Sequence, residues 1–169
     1  MLSCNTASGR SKLGESLRTT DSTAMPVSVE KGAKKAGRAL SDIDIVGSPF
    51  LAVSRDEAGL EAAKAAVKQS ISFYASTRTY HSVLDFHGWT EVGQELHRFS
   101  MEGKWMEMPK LITDEMLEEF AIVAVGDDLA PKLKERSQGI FNSILLDGSS
   151  ALVADKEWLR RTIAVLQQP

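Results

Sequence analysis

The sequence predicts an α/β fold with a parallel sheet, because two segments place a short apolar strand directly before a helix. In the first, the nearly continuous apolar run 43–53 leads into helical spacing over residues 54–75. In the second, the apolar run 121–125 leads into a helical segment that ends near Arg136. Strands followed at once by helices are typical of βα units, whose parallel strands are buried on both faces.

The amino-terminal residues differ in composition from the rest of the chain. Residues 1–24 are rich in Ser and Thr and carry few large apolar side chains. Burial would not offset their ordering entropy, so we expect a disordered polar leader over 1–24 and one domain over 25–169. Pro26 suits a first helical turn and Gly37 suits a C-cap, which predicts a short helix between them.

The first βα unit carries its own boundary signals. Pro49 weakens the strand locally, because it has no N–H for a ladder hydrogen bond. Ser54 stands three residues before Glu57, the spacing of a capping box at a helix start. The apolar face predicted for the helix consists of Leu60, Ala63, Val67, Ile71 and Tyr74.

The rest of the chain predicts further helices. Residues 80–108 are too many for an ordinary connection, yet Val92, Leu96 and Phe99 have helical spacing, which indicates an ordered helical excursion. Asp127 is placed to cap the helix that ends near Arg136, and Gly139 leads into a last apolar run over 140–146. A final helix over 155–166 should pack as a lid through Trp158, Leu159, Ile163 and Leu166.

Composition excludes several classes of protein. With 169 residues, 43% of them hydrophobic, the chain can bury a core. Its net charge of -3 argues against a nucleic-acid partner, because binding phosphates requires clustered Lys and Arg. Its single cysteine, Cys4, cannot form an internal disulfide, and no run of about 18 apolar residues could span a membrane. We therefore expect a cytoplasmic protein.

The most distinctive sequence segment begins with Phe73-Tyr74-Ala75-Ser76-Thr77 and continues through Tyr80, His87-Gly88-Trp89, Gly103 and Trp105. It resembles the luciferase-like monooxygenases, specifically the branch of deazaflavin (coenzyme F-420) dependent oxidoreductases, over roughly residues 26–147. The resemblance implies the C-terminal part of a (β/α)₈ TIM-type barrel, helix-rich, with a helical excursion after a late strand. About half of such a barrel would be missing. The chain departs from the family where Gly126-Asp127-Asp128 replaces a Gly-Thr-Pro-like helix start.

The same resemblance implies a function. Family members use deazaflavin or FMN to transfer a hydride, or to activate oxygen, on a small organic substrate. Because a partial barrel leaves strand edges open, the alternative is a fragment that is a non-catalytic interaction module or an inactive truncated product. Open edges also predict homo-oligomers.

The predicted cofactor contacts belong to the family-like segment. Ser76, Thr77 and Tyr80 offer hydroxyls beside Arg78, a chemistry suited to an anionic tail; a capped helix junction is the alternative. His87 lies beside Trp89 and could recognise a planar ring, or could be a packed helix-end histidine. The resemblance therefore gives Ser76, Thr77, Tyr80 and His87 binding roles, with no catalytic residue identified.

Other candidate groups are better explained by structure than by function. The histidines at 81, 87 and 97 lack metal-ligand spacing, and no metal is expected. Gly47-Ser48-Pro49 is interpreted as a strand irregularity. We expect a hydrophobic cluster to fill the core, namely Trp105, Met106, Met108 and Met116. We expect an acidic cluster to form a solvated helix face, namely Asp114, Glu115, Glu118 and Glu119.

Overall fold

The computed structural model describes residues 22–137, 139–146 and 151–168. The chain divides after Ile43 into two compact units. The described part of the first unit consists of helix α1 (Ser22–Lys35) and a 3₁₀ turn at Leu40–Asp42.

Helix α1 confirms the predicted short helix, although it starts four residues before Pro26. Its end is the predicted one, because Gly37 has a φ of +68°, a left-handed conformation that glycine adopts without strain. The N–H of Arg38 closes this end by donating to the carbonyl of Ala33 at 2.9 Å. The predicted disordered leader lies outside the described residues, except for its last three positions, which belong to α1.

The second unit combines short strands with helices. Its regular elements are, in order, β1 (Val46–Gly47), β2 (Phe50–Ser54), α2 (Glu57–Ala75), α3 (His81–Phe86), α4 (Thr90–Met101), α5 (Asp114–Phe120), β3 (Ala121–Val125), α6 (Leu129–Ser137), β4 (Ser143–Ile144), α7 (Ala151–Ala154) and α8 (Lys156–Leu166). Short 3₁₀ turns lie at Arg78–Tyr80, Met108–Leu111 and Gly126–Asp128. The helices α3 and α4 confirm the predicted helical excursion.

The strands confirm the predicted parallel pairing. β2 and β3 run in parallel from the Phe50–Ala121 pair to the Ser54–Val125 pair. β1 pairs in parallel with β4, beginning at Val46 opposite Ser143. Over the described ranges these are two separate two-stranded sheets.

The predicted single strand over 43–53 is wrong in extent. The chain leaves the sheet at Ser48 and Pro49, between β1 and β2, where proline has no N–H to donate. This agrees with the irregularity predicted there. The last apolar run, 140–146, contributes only the two residues of β4.

Helices cover both faces of the β2–β3 pair. On one face, Ala52 and Ala121 belong to a buried cluster with side chains of α2, α4 and α5. On the other face, Leu51 and Ile122 pack in a second cluster with α6 and with Trp158 of α8. The predicted lid is therefore confirmed in the position of Trp158, which is fully buried.

Two predicted caps differ from the observed ones. Asp56, not Ser54, caps α2 by accepting the N–H of Gly59 at 3.0 Å, because Ser54 is still the last residue of β2. Asp127 does not cap α6, because a 3₁₀ turn at Gly126–Asp128 comes first. A cap that was not predicted is Asp155, which lies directly before α8 and accepts from the N–H groups of Glu157 and Trp158.

Several burial predictions were wrong. Ile163 is 38% exposed, and its neighbour Thr162 is buried instead. Of the four residues expected in the core, Met108 and Met116 are buried, but the other two are exposed, Trp105 and Met106. Glu119, expected on a solvated face, is only 5% exposed, because it lies at the end of α5 against the core.

Candidate functional site

The parallel strands define two edges of the sheet. Ser54 and Val125 end β2 and β3 and form the carboxyl edge, while Phe50 and Ala121 form the amino edge. In α/β barrels the active site lies at the carboxyl edge, built from the loops that follow the strands. A site of the barrel type would therefore involve the residues after Ser54 and Val125.

The carboxyl edge holds a half-exposed arginine in a defined position. The Arg55 guanidinium lies 3.3 Å from a carboxylate oxygen of Asp155 and 6.0 Å from the ring centre of Trp158. The Trp158 indole N–H donates to the carbonyl of Gly126 at 3.0 Å. One buried tryptophan thus links the loops that follow both strands.

Two glycines allow the chain to pass closely at this edge. Gly126 has a φ of +54°, which a residue with a Cβ adopts only at a cost. At Gly59 an added Cβ would lie 2.3 Å from the Ser54 hydroxyl oxygen, so a larger residue there would displace the Ser54 side chain at the end of β2.

The charge at the carboxyl edge is mixed. The Arg161 guanidinium lies 3.4 Å from a carboxylate oxygen of Asp127. The next residue, Asp128, is also exposed. The N–H of Trp158 lowers the pKa of Asp155, and the charges of Arg55 and Arg161 act in the same direction. A cofactor with an anionic tail would find Arg55 and Arg161 as cations here, each already paired with carboxylates of this edge.

The predicted contacts Ser76, Thr77 and Tyr80 lie at the other edge. They follow α2, which starts beside Ser54 and ends where the Tyr74 ring meets Phe50 at 5.8 Å. Thr77 and Tyr80 are exposed, and the Tyr80 N–H donates to the Thr77 carbonyl at 2.9 Å. Their position at the amino edge is opposite to the edge where barrels bind cofactors.

Ser76 is engaged in local structure. Its hydroxyl donates to the carbonyl of Phe73 at 2.7 Å, and the side chain is buried. Its own carbonyl is 3.0 Å from Nδ1 of His97, which ties the end of α2 to α4. The capped-junction interpretation of Ser76 therefore accounts for its observed contacts.

His87 is part of an aromatic cluster. Its ring stacks on Trp89 at 4.8 Å and meets the Phe120 ring edge-to-face at 5.9 Å. Its Nε2 is buried without a hydrogen-bond partner. None of the measured contacts joins His87 to Ser76 or Thr77, so the assignment of these four residues to one cofactor stays a prediction.

An open apolar cleft of about 290 Å³ lies at the amino edge. Its walls include four aromatic rings, those of Phe50, Tyr74, Tyr80 and Phe120. Of the four predicted contacts, Tyr80 alone contributes to this lining.

A larger groove of about 550 Å³ runs along β2 and α2. It extends from Ser48 and Pro49 to Ser54, and small residues of α2 such as Ala62 and Ala66 form its other wall. Over the described part of the chain, β2 pairs with β3 alone, so its second edge is open beside this groove. Gly47, next to this groove in sequence, packs against the Phe141 ring, and an added Cβ would lie 2.5 Å from a ring carbon.

Arg136 is a structural residue that sequence patterns did not indicate. Its guanidinium donates to the carbonyls of Glu118 at 2.9 Å and Ala121 at 3.1 Å, and also to that of Glu119. Burial lowers the pKa of Arg136, while the charge of Glu119 acts in the opposite direction. The arginine holds the junction where α5 becomes β3. A lone arginine late in a polar helix gives no signal of this role.

Two other kinds of feature are absent from the described part of the chain. Among the residues that the structure describes, no three His, Cys, Asp or Glu side chains are grouped to hold a metal ion. None of the described helices is long and apolar enough to cross a bilayer.

The sequence comparison decides the family. Residues 19–143 match the sequence model of the family described as luciferase-like monooxygenase. The chain belongs to the luciferase-like monooxygenase family. An uncharacterised protein of Mycobacterium tuberculosis is 39% identical to this luciferase-like chain over 115 residues, which are 68% of the chain and 34% of that protein.

Further relatives have named activities. The 5,10-methylenetetrahydromethanopterin reductase of Methanopyrus kandleri is 27% identical over 130 residues, 76% of this chain and 36% of that enzyme. The structure of the coenzyme F-420 dependent tetrahydromethanopterin reductase from Methanopyrus kandleri superimposes with a TM-score of 0.63 at 25% identity, over 88% of this chain and 40% of that one. The chain spans about a third of the length of the relatives that it matches in sequence.

Proposed function

We propose that this chain contributes part of the barrel of a deazaflavin-dependent oxidoreductase, which transfers a hydride between coenzyme F-420 and a small organic substrate. The likeness to a coenzyme F-420 dependent reductase over 88% of the chain carries the proposal. When bound, the reduced deazaflavin would supply the hydride. The chain's own residues would bind and orient the cofactor. FMN has no comparable support among these relatives.

The cofactor is proposed to meet this chain at the carboxyl edge. Arg55 is half-exposed there and is held between Asp155 and Trp158, so its guanidinium is positioned without being buried. An anionic group of the cofactor would replace Asp155 as its partner. The prediction that Ser76, Thr77, Tyr80 and His87 bind the cofactor places the site at the opposite edge, and one experiment separates the two.

The experiment compares three variants in a fluorescence titration with oxidised deazaflavin. Arg55→Met should weaken binding about tenfold, because a charge-assisted hydrogen bond is lost. Arg98→Met is the matched control: Arg98 is similarly exposed and paired with Glu95 and Glu102, but it lies in α4, so binding should not change.

The third variant replaces Ser76, Thr77, Tyr80 and His87 together by alanine. Full affinity in this variant would reject the amino-edge assignment. Lost affinity here, with Arg55→Met unchanged, would instead place the cofactor at the amino edge. Circular dichroism of each variant shows whether a loss of binding reflects unfolding.

A second candidate function, an interaction module that pairs with another copy of itself, is favoured by the open edge of β2. That edge lies beside a groove of about 550 Å³ with a small-residue helix wall, where a strand of a second copy could pair with β2. Sedimentation equilibrium tests this candidate. Ala66→Arg should convert an oligomer to a monomer, whereas a monomeric parent chain at all concentrations would reject self-pairing.

A further inference from the structure

The apolar cleft at the amino edge is distinct from the carboxyl edge. β2 and β3 run between the two, with Phe50 and Phe120 at the cleft and Ser54 and Val125 at the far end. A molecule in the cleft would therefore bind independently of the proposed cofactor position.

The rings of the cleft are arranged to accept another ring. Tyr74 and Tyr80 lie 6.0 Å apart and are nearly perpendicular, at 88°, and Phe50 meets Tyr74 at 5.8 Å and 54°. Aromatic pairs favour offset stacking and edge-to-face contact. A flat ring that stacks on one of these walls would present its edge to the next.

The chemistry of the lining disfavours a charged occupant. Every residue that lines the cleft is apolar or tyrosine, so a buried charge would find no opposite charge to pair with. The hydroxyls of Tyr74 and Tyr80 are the polar side-chain groups of the lining, and both residues are 48% exposed. Ile71 and Leu84 are almost fully buried beneath them, which gives the cleft a closed apolar floor.

We propose that this cleft binds an uncharged aromatic compound of one or two rings, at a site separate from the cofactor. The volume of about 290 Å³ is at the small end of the range for ligand pockets, roughly 300–1,000 Å³. A bicyclic phenol fits this description, because its rings would fill the apolar cleft while its hydroxyl bonds to a tyrosine hydroxyl at the rim.

The probe is 2-naphthol, titrated into the full chain and followed by calorimetry and by protein NMR. We expect saturable binding with a Kd of tens to hundreds of micromolar, reasonable for a ligand of about eleven heavy atoms. Shifted signals should come from Tyr80, Val83 and Leu84. The anion 2-naphthoate should bind at least tenfold more weakly.

A pair of tryptophan substitutions locates the site. Val83 lines the cleft and is 42% exposed, so Val83→Trp should fill the cleft and weaken naphthol binding at least tenfold. Val165→Trp is the matched control, because Val165 is 38% exposed but lies in α8 away from the lining. Both positions are exposed, so each variant should fold, and circular dichroism tests this.

Four results would overturn the proposal. The first is no saturable naphthol binding up to millimolar concentration, and the second is equal binding by the two tryptophan variants. The third is competition by deazaflavin, which would make the cleft part of the cofactor site. The fourth is self-association that Val83→Trp abolishes while naphthol fails to bind, which would make the cleft a protein interface.

Discussion

Replacing Trp158 by phenylalanine should destabilise the folded chain by about 2–3 kcal/mol. The indole is fully buried in the cluster formed with Leu51 and Ile122, and its N–H donates to the Gly126 carbonyl at 3.0 Å. The smaller ring leaves a cavity that costs about 1 kcal/mol, and the carbonyl that loses its donor costs about 1–2 kcal/mol more. This is a large fraction of a total stability of about 5–15 kcal/mol.

The assay is urea denaturation followed by far-ultraviolet circular dichroism, which gives the free energy of unfolding. Trp105→Phe is the matched control: the Trp105 ring is 44% exposed, so its replacement should change stability by less than about 0.5 kcal/mol. If Trp158→Phe also stayed within about 0.5 kcal/mol of the parent chain, α8 would not be a structural lid and the described packing would be refuted.

Three other predictions concern stability. Arg136→Met should cost about 2–3 kcal/mol in urea denaturation, because three backbone carbonyls lose a buried donor; an unchanged midpoint would contradict its structural role. Gly126→Ala should destabilise the chain by about 1–2 kcal/mol, because the φ of Gly126 is +54°. Gly32→Ala should stabilise it by about 0.5–1 kcal/mol, because Gly32 lies inside α1 with open space around it. Equal effects of the two substitutions would contradict the backbone conformations described for these glycines. Folding lowers the pKa of Asp155, so the stability that its carboxylate contributes is present above the unfolded pKa and is lost as pH falls. The difference in unfolding free energy between the parent chain and Asp155→Asn should therefore shrink from pH 6 to pH 3. A difference that grows on acidification would show that folding raises the pKa of Asp155.

Local sequence patterns predicted the elements with a periodic apolar face or an unbroken apolar run. The helix that became α2 follows from the spacing of Val67 and Ile71, and β3 follows from an unbroken apolar run that both sheet faces bury. The final helix was predicted from Asp155 onward, and in the structure Asp155 is its N-cap, because the carboxylate accepts the free N–H groups of the first turn.

The misplaced residues depend on tertiary contacts that spacing does not encode. Thr162 and Ile163 are adjacent on α8, and the rotation fixed by Trp158 buries the threonine in place of the isoleucine. Glu119 is buried because α5 ends beside Arg136, a residue 17 positions further along the chain. The pairing of β2 with β3 also joins residues about 70 positions apart, so no local sequence pattern could indicate which residues are partners.

The most direct test of the proposed function is a paired titration of the purified chain with oxidised deazaflavin and with FMN, following cofactor fluorescence and protein melting together. We predict saturable deazaflavin binding with a raised melting temperature, and at least tenfold weaker binding of FMN. A chain that melts cooperatively but binds neither cofactor, or that prefers FMN, would contradict this prediction.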